Sequence, residues 1–111
     1  MHLPKEIIKG SLKLLILQTL NKNQEEYGYN LAQDIRKNTN DMFKAGEGSL
    51  YPALYNLERD GFIKSKWNEN YTPRRKYYSL TESGKRYLQE EKNNWSNLID
   101  ILNIYISPVI K

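Results

Sequence analysis

The chain has 111 residues, enough for one domain with a modest core. It contains no cysteine, which excludes disulfides and thiolate metal sites and is typical of a reducing cytoplasm. A formal net charge of +4 is compatible with an anionic partner such as nucleic acid.

Several classes of activity are not expected. The single histidine, His2, stands at the N-terminus without candidate ligands beside it, and no phosphate-binding loop or recognisable pair of carboxylates is present. We therefore expect no enzyme, no metal and no cofactor. The longest apolar run, residues 14–17, is far below the roughly 20 residues of a membrane span, and the N-terminus lacks a signal-peptide pattern. A soluble cytoplasmic protein is expected.

A first helix is predicted from Pro4 to about Asn21. Its apolar residues cover a broad arc: Ile7, Ile8, Leu12, Leu14, Leu15, Ile16, Leu17 and Leu20. Because so wide an arc needs apolar cover on two sides, we expect one side to face its own domain and the other to face a second subunit.

A second helix is predicted from Tyr27 or Gly28 to Lys37, after a polar connection at residues 21–26. A turn follows, and then a very short strand at residues 42–45. These elements lead into the stretch around which the chain is organised, residues 46–62.

A third helix with two unlike faces is predicted in this stretch. One face is a narrow apolar stripe of Leu50, Leu54 and Leu57. Pro52 lacks an amide proton and favours a first turn, which places the helix start between residues 46 and 49. Gly61 is predicted to end the helix as a left-handed cap.

The other face carries hydroxyl, amide and guanidinium groups, which hydrogen-bond to phosphates and base edges. Its residues are Ser49, Tyr51, Tyr55, Asn56 and Arg59. This pattern favours a DNA-reading helix in which Tyr55 and Asn56 face bases, since asparagine bonds bidentately to adenine. The alternative is an ordinary amphipathic core helix.

Two strands are predicted next, at residues 62–67 and 76–80, joined by a turn at residues 68–73. Three helices followed by such a hairpin indicate a winged helix-turn-helix domain over residues 1–80. We thus expect a mainly α fold with a small β-hairpin wing. Arg74, Arg75 and Lys76 would contact the DNA backbone, and the alternative is a solvated basic loop.

The last predicted helix spans residues 82–106, with Thr81 as its N-cap. It would be roughly 37 Å long, more than so small a domain can cover. Residues 81–111 are therefore assigned to a dimerisation helix with an apolar tail, which packs across the dimer or lines a pocket; a helix folded back on its own domain is the alternative. The predicted interface residues are Leu12, Leu15, Ile16, Leu88, Trp95, Ile99, Leu102 and Ile106.

Five motifs in this order resemble the PadR family of bacterial transcriptional regulators. They are Pro4-Lys5-Glu6 with Lys9-Gly10-Ser11-Leu12; Tyr27-Gly28-Tyr29; Gly48-Ser49-Leu50-Tyr51-Pro52-Ala53-Leu54; Leu57-Glu58-Arg59-Asp60-Gly61-Phe62-Ile63; and Pro73-Arg74-Arg75-Lys76-Tyr77-Tyr78-Ser79-Leu80-Thr81. The single final helix is similar to that of the compact branch, which dimerises through one C-terminal helix packed with the first. The wing tip departs from the pattern, because it lacks the glycines of many relatives.

The resemblance implies a homodimeric, ligand-responsive repressor that binds duplex DNA at an inverted-repeat operator and releases it when a small aromatic or hydrophobic effector binds. It implies phosphate contacts for Ser49 and Tyr51. Trp95 stands where multidrug-sensing relatives stack flat ligands, although a dimer-core anchor is an equal interpretation. The alternative function is a winged-helix module for protein interaction without DNA binding.

Overall fold

The computed structural model describes residues 3–44 and 46–107. His2, Ala45 and the tail residues 108–111 lie outside this description. The described elements, in chain order, are α1 (Lys5–Asn23), β1 (Glu25–Tyr27), α2 (Gly28–Asn38), α3 (Glu47–Arg59), β2 (Ile63–Asn68), β3 (Arg75–Leu80) and α4 (Glu82–Ile106). The strands form one antiparallel sheet in the order β1-β3-β2. This arrangement confirms the mainly α fold with a winged hairpin.

The core lies between the first three helices, and the sheet and the start of α4 close it. Its buried apolar side chains are Ile8, Leu12, Ile16, Leu17, Leu20, Leu31, Ile35, Phe43, Leu50, Ala53, Leu54, Leu57, Ile63, Tyr78 and Leu88. Burying each of the larger ones stabilises the fold by about 1.5–3 kcal/mol. The apolar stripe of α3 is thus held against α1, which orients its polar face outward.

The ends of α3 agree with the sequence prediction, but the place of its proline does not. The helix begins at Glu47, and Gly61 has the left-handed φ of +81° expected of its cap. Pro52 lies in the second turn rather than the first, because the helix begins a full turn before it. The missing amide proton leaves the Gly48 carbonyl without its usual helical donor.

Two predictions between α1 and α3 were wrong. The expected polar connection contains strand β1, in which Tyr27 pairs with Tyr77 of β3. The expected strand at residues 42–45 is absent from its described part, residues 42–44. There the backbone bonds elsewhere, since the Leu3 amide donates to the Met42 carbonyl at 3.1 Å and the Phe43 amide donates to the Thr39 hydroxyl at 3.2 Å.

The predicted hairpin is present, with its first strand shifted by one residue. In the β2–β3 register Ile63 faces Leu80 and Asn68 faces Arg75. Phe62 lies before the strand because its amide donates to the Leu57 carbonyl at 2.9 Å, which completes the turn after α3. The wing therefore starts directly from the end of α3.

The start of α4 is joined to the same turn. Thr81 is the predicted N-cap, and its hydroxyl accepts from the Gly84 amide at 3.0 Å. The Thr81 and Ser83 hydroxyls both donate to the Gly61 carbonyl, at 2.6 and 2.8 Å. The rings of Phe62 and Tyr87 stack in parallel with centroids 4.0 Å apart. These contacts fix the direction of α4 relative to the end of α3.

Candidate nucleic-acid interface

The outward face of α3 presents an exposed row of residues, which we call the α3 ridge: Gly48, Pro52, Tyr55 and Arg59. Tyr55 is 67% exposed, the largest exposure of any aromatic side chain on α3. The Nε of Arg59 lies 3.1 Å from a carboxylate oxygen of Asp60, and most of its side chain remains in solvent. A convex row of this kind can enter a groove of duplex DNA.

One flank of the ridge faces the sheet, and we call it the wing flank. Tyr51 lies here, its ring 3.9 Å from the position that a Cβ on Gly28 would occupy. Glu58 accepts a 2.6 Å hydrogen bond from the Ser65 hydroxyl of β2. Burial raises the pKa of the Tyr78 phenol, and the nearby Glu58 carboxylate raises it further. The wing flank is therefore tied to the hairpin.

The opposite flank faces α1, and we call it the α1 flank. Ser49 and Asn56 lie here, and both are half-buried. With Lys9 and Lys13 of α1 they line an open cleft of about 490 Å³. The structure thus divides the predicted reading residues, because Ser49 and Asn56 lie on one side of the ridge and Tyr51 on the other.

The predicted wing cations are supported by aromatic rings. The Arg74 guanidinium lies 4.1 Å from the centroid of the Trp67 ring. The Arg75 guanidinium lies between two rings, 3.8 Å from the Tyr71 centroid and 4.7 Å from the Tyr27 centroid. Flat contact with a ring holds a guanidinium in place without neutralising it, which suits it to phosphate.

Two of these cations also have a carboxylate nearby. Arg74 is 3.3 Å from Glu69, and Lys76 is 3.9 Å from Glu58. Such exposed ion pairs contribute about 0–1 kcal/mol, so their exchange for a phosphate contact costs little. The structure therefore presents three consecutive cations on the wing. Arg74 and Lys76 lie over the Trp67 ring, whereas Arg75 lies on the other face of the strand beside Tyr27.

The predicted dimer residues fall into three groups, which are buried, half-buried and exposed. Leu12, Ile16 and Leu88 are buried in the core of the single chain, so they expose little surface that a second chain could contact. Leu15 and Trp95 are half-buried. The Cη2 atom of Trp95 lies 4.0 Å from the position that a Cβ on Gly10 of α1 would occupy. Ile99, Leu102 and Ile106 are exposed, together with Leu98, Ile101, Ile104 and Tyr105.

Within residues 3–44 and 46–107, no helix has the length and apolar character needed to cross a bilayer. The same described residues include no group of three side chains able to hold a metal ion. What the described surface does offer is a ridge, two flanks and a cationic wing.

The family model described as the transcriptional regulator PadR-like family matches residues 16–90, well over half of the chain. The chain belongs to this PadR-like family. The match runs from the middle of α1 into α4, so it includes α3 and the whole wing.

Several proteins are similar to this chain in sequence, and solved structures are similar to it in fold. A transcriptional regulator from Clostridium thermocellum is 31% identical, with a TM-score of 0.86 over 93% of this chain and all of that one. An uncharacterized protein of Lysinibacillus sphaericus is 31% identical over 102 residues, which cover 91% of this chain and 93% of that protein. PadR of Bacillus subtilis, solved in complex with operator DNA, is 32% identical, with a TM-score of 0.64 over 71% of this chain and 45% of that one.

Sequence reasoning missed two parts of this PadR-like surface. It did not find the rings beneath the wing cations, because Tyr27 joins the sheet through the unpredicted strand β1. It also passed over Lys9 and Lys13, which line the cleft beside α3. Their i, i+4 spacing at the edge of the apolar arc of α1 was the available signal.

Proposed function

We propose that this PadR-like chain is a cytoplasmic, sequence-specific DNA-binding repressor that acts as a homodimer on an inverted-repeat operator. The observation that carries the proposal is the exposed α3 ridge beside wing cations that are supported by aromatic rings. The operator complex of Bacillus subtilis PadR, which shares the fold over 71% of this chain, supports duplex DNA as the partner.

The ridge and its flanks suggest separate roles in the groove. Tyr55, which is 67% exposed on the α3 ridge, would meet base edges in the major groove. Asn56 would read an adenine from the α1 flank, and Tyr51 and Ser49 would bond phosphates from either side. Arg74, Arg75 and Lys76 of the wing would lie along the DNA backbone or the minor groove.

The exposed apolar end of α4 supports the homodimer. Ile99, Leu102 and Ile106 are 44–68% exposed in the single chain. Burying each against a second copy would contribute about 1.5–3 kcal/mol. A two-fold axis along α4 would place two α3 ridges about one helical turn of DNA apart, roughly 34 Å, which is the basis for an inverted-repeat operator.

Regulation by an effector belongs to the same proposal. Trp95 packs against Gly10 and is only half-buried, so one part of its indole remains open beside the proposed dimer axis. A flat aromatic or hydrophobic molecule could stack there between two copies. Release of operator DNA on addition of such a compound is the expected response.

Footprinting on the DNA upstream of the protein's own gene, across a salt series, tests the proposal. Replacing Arg74 and Arg75 by Gln should weaken binding to any duplex and flatten the log–log salt slope by roughly 0.9 per lost phosphate contact. The matched control is Lys22→Gln with Arg36→Gln, which removes the same charge from the last turns of α1 and α2. A slope no flatter than the control's would remove these arginines from the interface, and absence of any salt-sensitive footprint would favour a protein-interaction module.

A further inference from the structure

We infer that the cleft on the α1 flank binds a backbone phosphate of the operator, which makes α1 a second DNA-contacting element. Lys9 and Lys13 form its α1 wall, and Ser49 and Asn56 lie on its α3 wall. This inference rests on the proposed DNA-binding function and assigns that function a further set of residues.

The chemistry of the cleft is that of an anion site. Two ammonium groups, one hydroxyl and one carboxamide line it beside the apolar residues Leu12, Pro52 and Ala53, and none of the described lining residues is acidic. The ammonium, hydroxyl and amide groups can all donate hydrogen bonds to oxygen. Its volume of about 490 Å³ and its open side leave room for a phosphate that remains part of a strand.

The charges on α1 point the same way. Lys9 and Lys13 lie four residues apart on one row of the helix, where two like charges cost about 0.2–0.5 kcal/mol. Lys66, Arg74 and Lys76 of the wing each have a carboxylate within 4.0 Å, whereas no described carboxylate lies that close to Lys9 or Lys13. A bound anion would offset the repulsion that the folded chain leaves in place.

The position of the cleft selects the kind of anion. It runs along α3 from Gly48 to Asn56, on the side of the ridge opposite the wing. If the ridge lies in the major groove with the wing on one edge, the other edge falls at the α1 flank. A phosphate of that edge, rather than a base, would meet Lys9 and Lys13.

The test compares Lys9→Gln with Lys13→Gln, made together, against the wild type on an operator duplex across a salt series. The log–log slope should flatten by roughly 0.9 for each phosphate released. Lys22→Gln with Arg36→Gln is the control of equal charge, and Lys9→Arg with Lys13→Arg should keep the wild-type slope. Circular dichroism and melting of each variant confirm folding, which Gln preserves because it favours helices.

The outcomes separate this inference from the function on which it rests. If the wild-type slope depends on Arg74 and Arg75, but the Lys9 and Lys13 variant matches its equal-charge control, the cleft does not hold an operator phosphate and the proposed function stands. If the wild type binds no duplex, the proposed function itself fails.

A free anion is the other source of the same chemistry. In the absence of DNA, inorganic phosphate is titrated against the wild type while the side-chain amide signal of Asn56 is followed by NMR. Saturation below millimolar phosphate, lost in the Lys9 and Lys13 variant while its operator slope stays unchanged, would overturn the assignment in favour of a free anion. Weak chemical-shift changes of Asn56 that do not saturate, together with a flattened salt slope in the Lys9 and Lys13 variant, support a DNA phosphate as the anion in the cleft.

Discussion

The two ends of α4 differ in how much of the chain surrounds them. At its start, Gly84 and Leu88 are buried, Thr81 and Ser83 bond to the Gly61 carbonyl, and Tyr87 stacks on Phe62. From residue 98 to residue 106, no side chain is buried, although seven of these nine are large and apolar. One helix therefore has a firmly attached first quarter and a bare last third.

The difference shows how one element can serve two purposes. The attached end fixes the direction of α4 relative to the turn that follows α3, because Thr81 and Ser83 both donate to the Gly61 carbonyl of that turn. The bare end presents seven exposed apolar side chains that a second copy could cover. Joining two copies through bare ends would then fix the separation of their α3 ridges, which the operator spacing requires.

The first prediction is a large loss of stability when the packing of the attached end of α4 is disturbed. In Gly84→Ala, the added methyl group would overlap the Phe62 carbonyl oxygen, which is backbone and cannot turn aside. Overpacking of this kind costs about 1–3 kcal/mol and occasionally more. We expect a loss at or above the top of that range, measured as a fall of the melting temperature by roughly 10 °C or more.

Gly48→Ala is the matched control for this change. Gly48 is also helical, but no atom of the described residues lies within 4 Å of the Cβ that alanine would add. Alanine favours a helix over glycine by about 0.8–1 kcal/mol, so the melting temperature should stay level or rise. Equal melting of the two variants would show that α4 does not approach Phe62 as closely as the structure has it.

The second prediction tests the bare end of α4 as the proposed dimer surface. Ile99→Glu with Leu102→Glu places two carboxylates on the proposed dimer seam, where each side chain should contribute about 1.5–3 kcal/mol. The dimer dissociation constant should rise at least about 100-fold, at 1.4 kcal/mol for each factor of ten. Sedimentation across a concentration series measures it, and operator affinity should fall in parallel because only a dimer spans both half-sites.

The control puts the same charges on the other side of the helix. Asn93 and Asn97 lie opposite the seam by helical spacing, and both are exposed. Asn93→Glu with Asn97→Glu should leave the mass of a dimer unchanged. A wild type that sediments as a single chain at all working concentrations would contradict the homodimer directly.

The sequence could predict the bounds of α4 but not its packing. Both ends of α4 were predicted at the residues where the structure has them, because Thr81 is a local cap signal and the apolar spacing is periodic. The packing of Gly84 on Phe62 depends on how the turn after α3 approaches α4 in space. Periodicity carries no such information, and for the same reason it could not separate the two flanks of α3.

Short elements were the other part of the fold that the sequence could not predict. Strand β1 has only three residues, too few to show alternation, and its pairing partners lie in β3, far along the chain. Without β1, nothing in the sequence placed Tyr27 beside Arg75. The candidate residues on α3 and the wing were found because each group is contiguous or helically spaced, whereas their partners in space were not.

The last prediction, which has the smallest effect, concerns how pH changes the stability of the attached end of α4. Burial raises the pKa of the Tyr87 phenol at the attached end, with smaller contributions from the charges of Glu91, Asp60 and Glu90. The unfolded chain then loses this proton at a lower pH than the folded chain does. Between the unfolded value of 10.0 and the higher folded value, the unfolded state binds fewer protons, so stability falls as pH rises.

Urea unfolding at pH 9 and pH 11 measures this loss, and Tyr87→Phe isolates it. Phenylalanine keeps the stack on Phe62 but has no proton to release, so its stability should fall less between the two pH values than that of the wild type. Tyr78, also buried with a raised pKa, remains in both proteins and cancels from the difference. An equal fall in the two proteins would show that Tyr87 is as well solvated in the folded chain as in the unfolded one, and the attached end would then be more open than its ring stack implies.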